Sequence, residues 1–222
     1  TTIDLESKAA SILGKEAALF VPSGTMGNLV SILTHCNRGD EIIVGDKSHT
    51  FYYEAGGISA YGGIHSRQLS NNQDGSIDLD LIQHSIRLED DHFPITSLIS
   101  IENTHNMCGG APLSINYVKD VYELATKNHI KVHTDGARLF NAAIATGSDV
   151  KQIANYTDSV TFCLSKGLCS PIGSIICGTK NFIYKARKIR KGLGGGMRQT
   201  GIITCLGIYS LNNMINQLEK DH

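Results

Sequence analysis

The stretch "SVTFCLSKGLCSPIGSIICG" (Ser159–Gly178) holds two short apolar runs, SVTFCLS and GSIICGT, joined by a connection that ends in Ser-Pro-Ile. Both runs are β-branched and read as buried strands. Parallel neighbours need a crossover of a dozen or more residues, usually a helix. The short SPI connection before the second run cannot supply one, so that strand is expected to run antiparallel to its predecessor. The same stretch holds a single lysine, Lys166, amid apolar and small residues. An ammonium group beside a buried strand is costly unless it is paired or chemically used. A lysine at a strand end can also extend its head to solvent, which is the commoner case for an isolated one.

Working outward, five more strand candidates precede this pair: AALFVP, DEIIVGD, IHSRQLS, TSLISIEN and IKVHTDG. Between most of them lie helix candidates at Met26–His35, Thr50–Ala60, Asp80–Arg87, Ile115–Asn128 and Val150–Tyr156. In Ile115–Asn128, Val118, Val121, Tyr122 and Ala125 recur at helical spacing. Seven strands mostly separated by helices predict an α/β fold with a mostly parallel seven-stranded sheet and helices on both faces. After GSIICGT the chain reads as helical, with GLGGG (Gly192–Gly196) taken as a flexible joint between two helices.

Composition narrows the function classes. Twenty basic against 21 acidic residues leave a net charge of −1, so no basic face is imposed and nucleic acid is not an expected partner. No apolar stretch reaches the ~18 residues of a membrane span, and the first ten residues have no apolar signal core. Six cysteines show no CxxC spacing, and several sit in apolar runs, which suits a reducing, cytoplasmic setting.

In open α/β sheets ligands bind beyond the carboxyl ends of the strands, and four polar clusters fall at such ends. Ser23-Gly24-Thr25 follows AALFVP and opens a helix, offering N–H groups, two hydroxyls and the positive dipole end to a phosphate. An ordinary serine N-cap is the plain alternative, and no GK[ST] follows to make a Walker motif. Asp135 lies at the end of IKVHTDG with Arg138 three residues on, although an Asp-Gly pair more often caps a turn. Lys166 ends SVTFCLS. His49 and His105 each follow a strand; a lone histidine is usually structural, but two on one rim are less easily dismissed. A metal site is not expected: His133 and Asp135 lack a third ligand, and His129, four residues before His133, would lie about 13 Å from it along a strand. A phosphate cradle, a carboxylate, a stackable imidazole and a lysine amine are together the parts that pyridoxal phosphate needs.

Five motifs in order, VPSGTMGN, IENTHN, VHTDGARLFNA, SKGL and GLGGGMRQ, resemble the low-specificity threonine aldolases, pyridoxal-phosphate enzymes of fold type I. The resemblance runs from about Leu5 to Ser210. It implies that Lys166 is the Schiff-base lysine, that Asp135 partners the pyridinium nitrogen, and that Arg138 lies near the phenolic oxygen and the substrate carboxylate. Ser23, Gly24 and Thr25 match the phosphate turn, His49 the imidazole stacked on the ring, and His105 a second active-site histidine. Lys191 and Arg198 match basic residues that reach a neighbouring subunit's cofactor in a homotetramer with shared sites. By the same resemblance residues 1–222 are the cofactor-binding large domain, lacking an N-terminal segment and a small C-terminal domain, and bind the cofactor more readily than they cleave threonine. The implied reaction is retro-aldol cleavage of L-threonine or L-allo-threonine to glycine and acetaldehyde, with His49 and His105 both open as base. Another fold-type-I activity, an aminotransferase or a β-lyase, would share Lys166 and Asp135, and a non-catalytic scaffold is a third reading.

Overall fold

The computed structural model of the chain describes residues 1–221. In chain order its elements are α1 (Thr2–Leu13), β1 (Ala17–Val21), α2 (Gly24–His35), β2 (Glu41–Gly45), α3 (His49–Tyr52), α4 (Gly57–Gly62), β3 (His65–Leu69), α5 (Leu79–Ser85), β4 (Thr96–Glu102), α6 (Ile115–Lys127), β5 (Lys131–Asp135), α7 (Leu139–Thr146), α8 (Val150–Asn155), β6 (Ser159–Cys163), β7 (Ser174–Gly178), α9 (Lys180–Gly192) and α10 (Gly201–Asn213). The seven strands form one sheet in the order β1-β7-β6-β5-β4-β2-β3. All pairings from β6 through β3 are parallel; β7 pairs antiparallel with β6 on one side and with β1 on the other. A reversed β7 between two strands of like direction leaves the other six, β1 to β6, with their carboxyl ends on one edge. The expected sheet and the expected reversal are both present.

Strands buried on both faces are mostly apolar, as parallel sheets favour. β2, β6 and β7 are buried at every position, and only the edge strand β3 is largely open. On one face α2 and α9 cover Leu19, Val21 and Ile176, and α2 and α4 cover Ile42, Val44 and Leu98. On the other face α1, α7, α8 and α10 enclose Phe20, Val160, Phe162 and Ile175, and α5 and α6 enclose Ile43, Ile99, Ile101 and Val132.

Several local expectations change. The single helix expected at Thr50–Ala60 is two short ones, α3 and α4. Ala55 and Gly56 between them have φ of 53° and 65°, a left-handed turn that breaks the helix and lets Glu54 point inward. His129 is not on a strand but in a left-handed turn before β5, with φ 59°. The Gly-rich joint after α9 is not loose throughout: Gly195 is buried, and a Cβ there would lie 2.2 Å from Met26 Sδ in the first turn of α2. α1, absent from the helices picked out by periodicity, buries Leu5, Ala9 and Leu13 against β1.

Parallel register aligns side chains across β4, β5 and β6. Glu102, Asp135 and Thr161 form one row, and Ser100, His133 and Ser159 form the row two residues earlier. Because side chains alternate, both rows project from the same face of the sheet, and the contacts of Asn28 with His133, Asp135 and Thr161 show that α2 lies over it. A polar seam is thus built into an otherwise apolar layer.

Gly136 allows β5 and β6 to close at this end, since its N–H donates to the Thr161 carbonyl (3.0 Å). A Cβ there would lie 2.6 Å from the Thr161 carbonyl oxygen and 3.0 Å from Leu139 Cβ. Gly136→Ala is therefore expected to lower stability by about 1–3 kcal/mol through overpacking, seen as a lower urea midpoint with unchanged slope. An unchanged midpoint would show that the gap between these strands has slack.

Candidate active site

Ser23–Thr25, His49, His105, Asp135, Arg138 and Lys166 all lie at or just beyond strand ends on the carboxyl edge of the sheet, whereas Lys191 and Arg198 do not. Ser23 is the N-cap of α2, its Oγ accepting from Met26 N–H at 3.2 Å. No acceptor among the described residues takes the N–H of Gly24 or Thr25. Unpaired N–H groups at the positive end of a twelve-residue helix suit an anion. A Cβ at Gly24 would come 3.0 Å from Cys163 Sγ, so the turn packs directly on the end of β6.

Asp135 ends β5 and is 4% exposed. Its Oδ1 accepts from Ala137 N–H (3.2 Å) and its Oδ2 from the Asn28 amide (2.8 Å). The same Asn28 nitrogen donates to Glu54 Oε1 at 2.8 Å, and that oxygen also accepts from His49 Nδ1–H at 3.0 Å. Asn28, Glu54 and Glu102 were not singled out from sequence. Glu102, at the end of β4, accepts from His49 N–H (2.7 Å) and Asn106 N–H (2.8 Å) and so ties the two histidine-bearing loops together.

Charge and burial shape this cluster. The hydrogen bond to Glu54 holds the His49 imidazole above its ordinary pKa, against the opposing effect of burial. Burial, aided by repulsion from Asp135, pushes Glu54 up. The same two causes raise Glu102 to about 7. His105 is only 1% exposed; burial lowers its pKa, and neither ring nitrogen has a hydrogen-bond partner among the described residues. Both nitrogens of a buried imidazole without partners are costly in isolation and suit a site that receives a polar ligand.

Lys166 lies half-buried just beyond β6, and Arg138 half-buried just beyond β5, with its guanidinium donating to Asn106 Oδ1 at 3.3 Å. Burial raises the pKa of the Cys163 thiol, with the charges of Lys166 and Arg138 opposing that rise and the charge of Asp135 adding to it. Lys191 and Arg198 are not brought into this cluster by any contact; they lie exposed at the end of α9 and beyond it, with no ion pair or side-chain hydrogen bond among the described residues.

His133 is withdrawn from ligand chemistry, since both its nitrogens are engaged, by Ser159 (2.8 Å) and Asn28 (3.3 Å). Ligand atoms of His49, Glu54 and Asp135 lie within 4.8 Å of one another, a spacing a metal could use. Both carboxylates are, however, already bridged by the Asn28 amide N–H groups, which a cation would face at close range. The cluster therefore fits a ligand that offers a hydrogen-bond donor to Asp135 and an anion to the α2 terminus.

Comparison with known proteins follows the same line. The sequence model of the Beta-eliminating lyase family matches residues 1–222. An Arabidopsis thaliana protein named "Probable low-specificity L-threonine aldolase 2" is 51% identical over 225 residues, covering 100% of this chain and 63% of its own. The Escherichia coli O157:H7 "Low specificity L-threonine aldolase" is 45% identical over 218 residues, covering 98% of this chain and 65% of its own. A solved Listeria monocytogenes EGD-E structure, described as a candidate L-allo-threonine aldolase, superposes with a TM-score of 0.88 at 25% identity, covering 99% of this chain and 59% of that one. The chain thus spans less than two thirds of the length of the relatives it matches.

Glu102 yields a pH test. Folded Glu102 keeps its proton from its ordinary 4.5 up to about 7, so the folded state binds more protons than the unfolded one across that window. Its contribution to stability is full below about 4.5 and is lost as pH rises to about 7. Glu102→Gln is expected to be less stable overall, because an amide oxygen cannot replace both carboxylate oxygens as acceptors. It should nevertheless show a shallower fall in stability than the wild type between these pH values in urea titrations. Parallel curves for the two proteins would contradict a raised Glu102.

Proposed function

The chain belongs to the Beta-eliminating lyase family, and on that premise we propose that it acts in a pyridoxal-phosphate-dependent carbon–carbon lyase that cleaves L-threonine or L-allo-threonine to glycine and acetaldehyde. The observation that carries this reading is the meeting, on one sheet edge, of a helix terminus with two unpaired N–H groups, a buried carboxylate and a half-buried lysine. The names of the relatives at 45–51% identity support the same chemistry. Residues 1–222 are read as the cofactor-binding large domain of a cytoplasmic enzyme.

The residue types gathered at this edge suit the cofactor's chemistry. Gly24 and Thr25 N–H groups and the Ser23 hydroxyl would hold the phosphate, Asp135 would hold the ring nitrogen, and His49 would support the ring. Lys166 would provide the amine, and Arg138 would take the substrate carboxylate. Lys191 and Arg198 are assigned to a neighbouring subunit's site, in a homo-oligomer (a tetramer by resemblance). When bound, pyridoxal phosphate supplies an aldehyde that condenses with amines and a ring that accepts the electron pair of the broken Cα–Cβ bond.

The protein's own part is proton placement. His49 Nδ1–H is spent on Glu54, so in the neutral ring Nε2 carries the free lone pair and can take the β-hydroxyl proton. The Glu54 contact makes that nitrogen more basic than an ordinary imidazole. Burial disfavours the charged form of His105, whose buried ring nitrogens have no hydrogen-bond partner among the described residues; in this reading it would help to hold the substrate hydroxyl. Arg138, tied to Asn106, would orient the substrate through its carboxylate.

The test is product analysis with L-threonine and L-allo-threonine in the presence of pyridoxal phosphate. Equimolar acetaldehyde and glycine are expected, with a loss of at least ~10³-fold in Lys166→Ala. A keto acid in place of acetaldehyde would assign the site to the aminotransferase or β-lyase alternative, and full aldehyde release by Lys166→Ala would remove Lys166 from the reaction.

A further inference from the structure

A line of hydrogen bonds runs from the far end of α2, through the buried seam, to Asp135. His35, in the last turn of α2, contacts Ser159 Oγ through Nε2 at 2.8 Å. Ser159 Oγ contacts His133 Nδ1, also at 2.8 Å. His133 Nε2 contacts Asn28 Oδ1 at 3.3 Å, and the Asn28 nitrogen contacts Asp135 and Glu54. Asn28 and His35 are seven residues apart on α2, two helical turns, and so share one face. His133, Ser159 and Asn28 are 0%, 0% and 2% exposed.

The direction of every bond follows from donor and acceptor chemistry. A carboxylate only accepts, so Asn28 must turn its NH2 toward Asp135 and Glu54. Its carbonyl oxygen then faces the seam, where it accepts from Thr161 O–H (2.9 Å) and from His133. His133 must therefore carry its proton on Nε2 and leave Nδ1 as acceptor. Ser159 spends its one O–H on that Nδ1, and its oxygen accepts from His35 Nε2–H. Burial keeps both rings uncharged, with His35 and His133 each lowered to about 3. His35 is held by a stacked Phe182 ring, with centroids 4.5 Å apart. The opposite His133 tautomer would place a bare Nε2 against the Asn28 oxygen. Turning the amide to repair that clash would set an oxygen 2.8 Å from Asp135 Oδ2.

We infer that His133 and Asn28 are positioning residues: Asp135 and Glu54 orient the Asn28 amide, and His133, protonated on Nε2 and held through Ser159, supports the carbonyl side of that amide so that both its N–H groups serve Asp135 and Glu54. The consequence for ligand binding rests on the pyridoxal-phosphate reading above. Asp135 is held from the α2 side through Oδ2, and α2 also carries the phosphate turn, so one helix registers both contacts of the cofactor.

The tautomer is measurable in the ligand-free protein by ¹⁵N NMR of the histidine rings at pH 7. His133 is expected neutral with its proton on Nε2; a proton on Nδ1, or a charged ring, overturns the inference whatever the protein binds. The transmitted effect is read by titrating wild type and Ser159→Ala with pyridoxal phosphate and with its 1-deaza analogue, in which CH replaces the ring nitrogen. Ser159→Ala is expected to weaken pyridoxal phosphate about three- to ten-fold, the loss of one buried hydrogen bond, and to leave the analogue unchanged. Equal weakening of both ligands, or of neither, would show that the seam supports only the fold. If wild type bound neither ligand, the cofactor reading would fail, and the tautomer measurement would still decide the orientation of Asn28.

Discussion

Buried carboxylates crowd the carboxyl edge of the sheet, and their compensation organises what surrounds them. Asp135, Glu54 and Glu102 are 4%, 6% and 5% exposed, each near enough to another to act on its protonation. Like charges in a poorly solvated cluster cannot all be accommodated without donors. The donors are the Asn28 amide, the His49 imidazole, the backbone N–H groups of His49 and Asn106, and the N–H of Ala137. The Asn28 and His49 contacts join separate elements, while those of Asn106 and Ala137 close the turn after their own strand. A change in one carboxylate is therefore felt by α2, by the His49 loop and by the segment after β4 together.

This cluster exists because the strands run the same way. Had β6 followed β5 antiparallel, Thr161 would not share a row with Asp135, and Lys166 would leave the sheet from the opposite edge. The reversed β7 lets β1 rejoin the sheet in the common direction, which brings the N-terminus of α2 beside the end of β6. A helix terminus that favours anions and a set of strand ends rich in carboxylates would repel the same ligand if they met at one point. Here they meet different ends of it. A zwitterionic cofactor with a phosphate at one end and a protonated ring nitrogen at the other satisfies both.

The sheet was legible because its signals are local. β-branched runs, intervening amphipathic stretches and the short Ser-Pro-Ile connection determine strand number and the direction of β7 without knowledge of the rest. Lys166, Asp135, His49, His105 and the Ser23–Thr25 turn were legible for a related reason: each directly follows a strand, and strand ends are where ligands bind. Asn28, Glu54 and Glu102 were not. Asn28 is one polar residue in an otherwise ordinary helix, and only the packing of α2 on β5 and β6 reveals that it faces inward. Glu54 lay inside a helix expected to run on to Ala60, and the break at Ala55–Gly56 that turns it inward became visible only in three dimensions. A signal for the seam was nonetheless present. Ser100 and Glu102, His133 and Asp135, and Ser159 and Thr161 repeat one polar alternation in three strands that otherwise read as buried.

The central claim is that Lys166 is the amine at the focus of this edge. Incubating the protein with pyridoxal phosphate, reducing with borohydride and mapping the peptides tests it most directly, since reduction fixes the cofactor carbon to whichever nitrogen it has joined. The account predicts one stoichiometric label, on Lys166. A label on Lys180, Lys185 or Lys191 instead, or labelling spread over surface lysines with Lys166 unmodified, would contradict it.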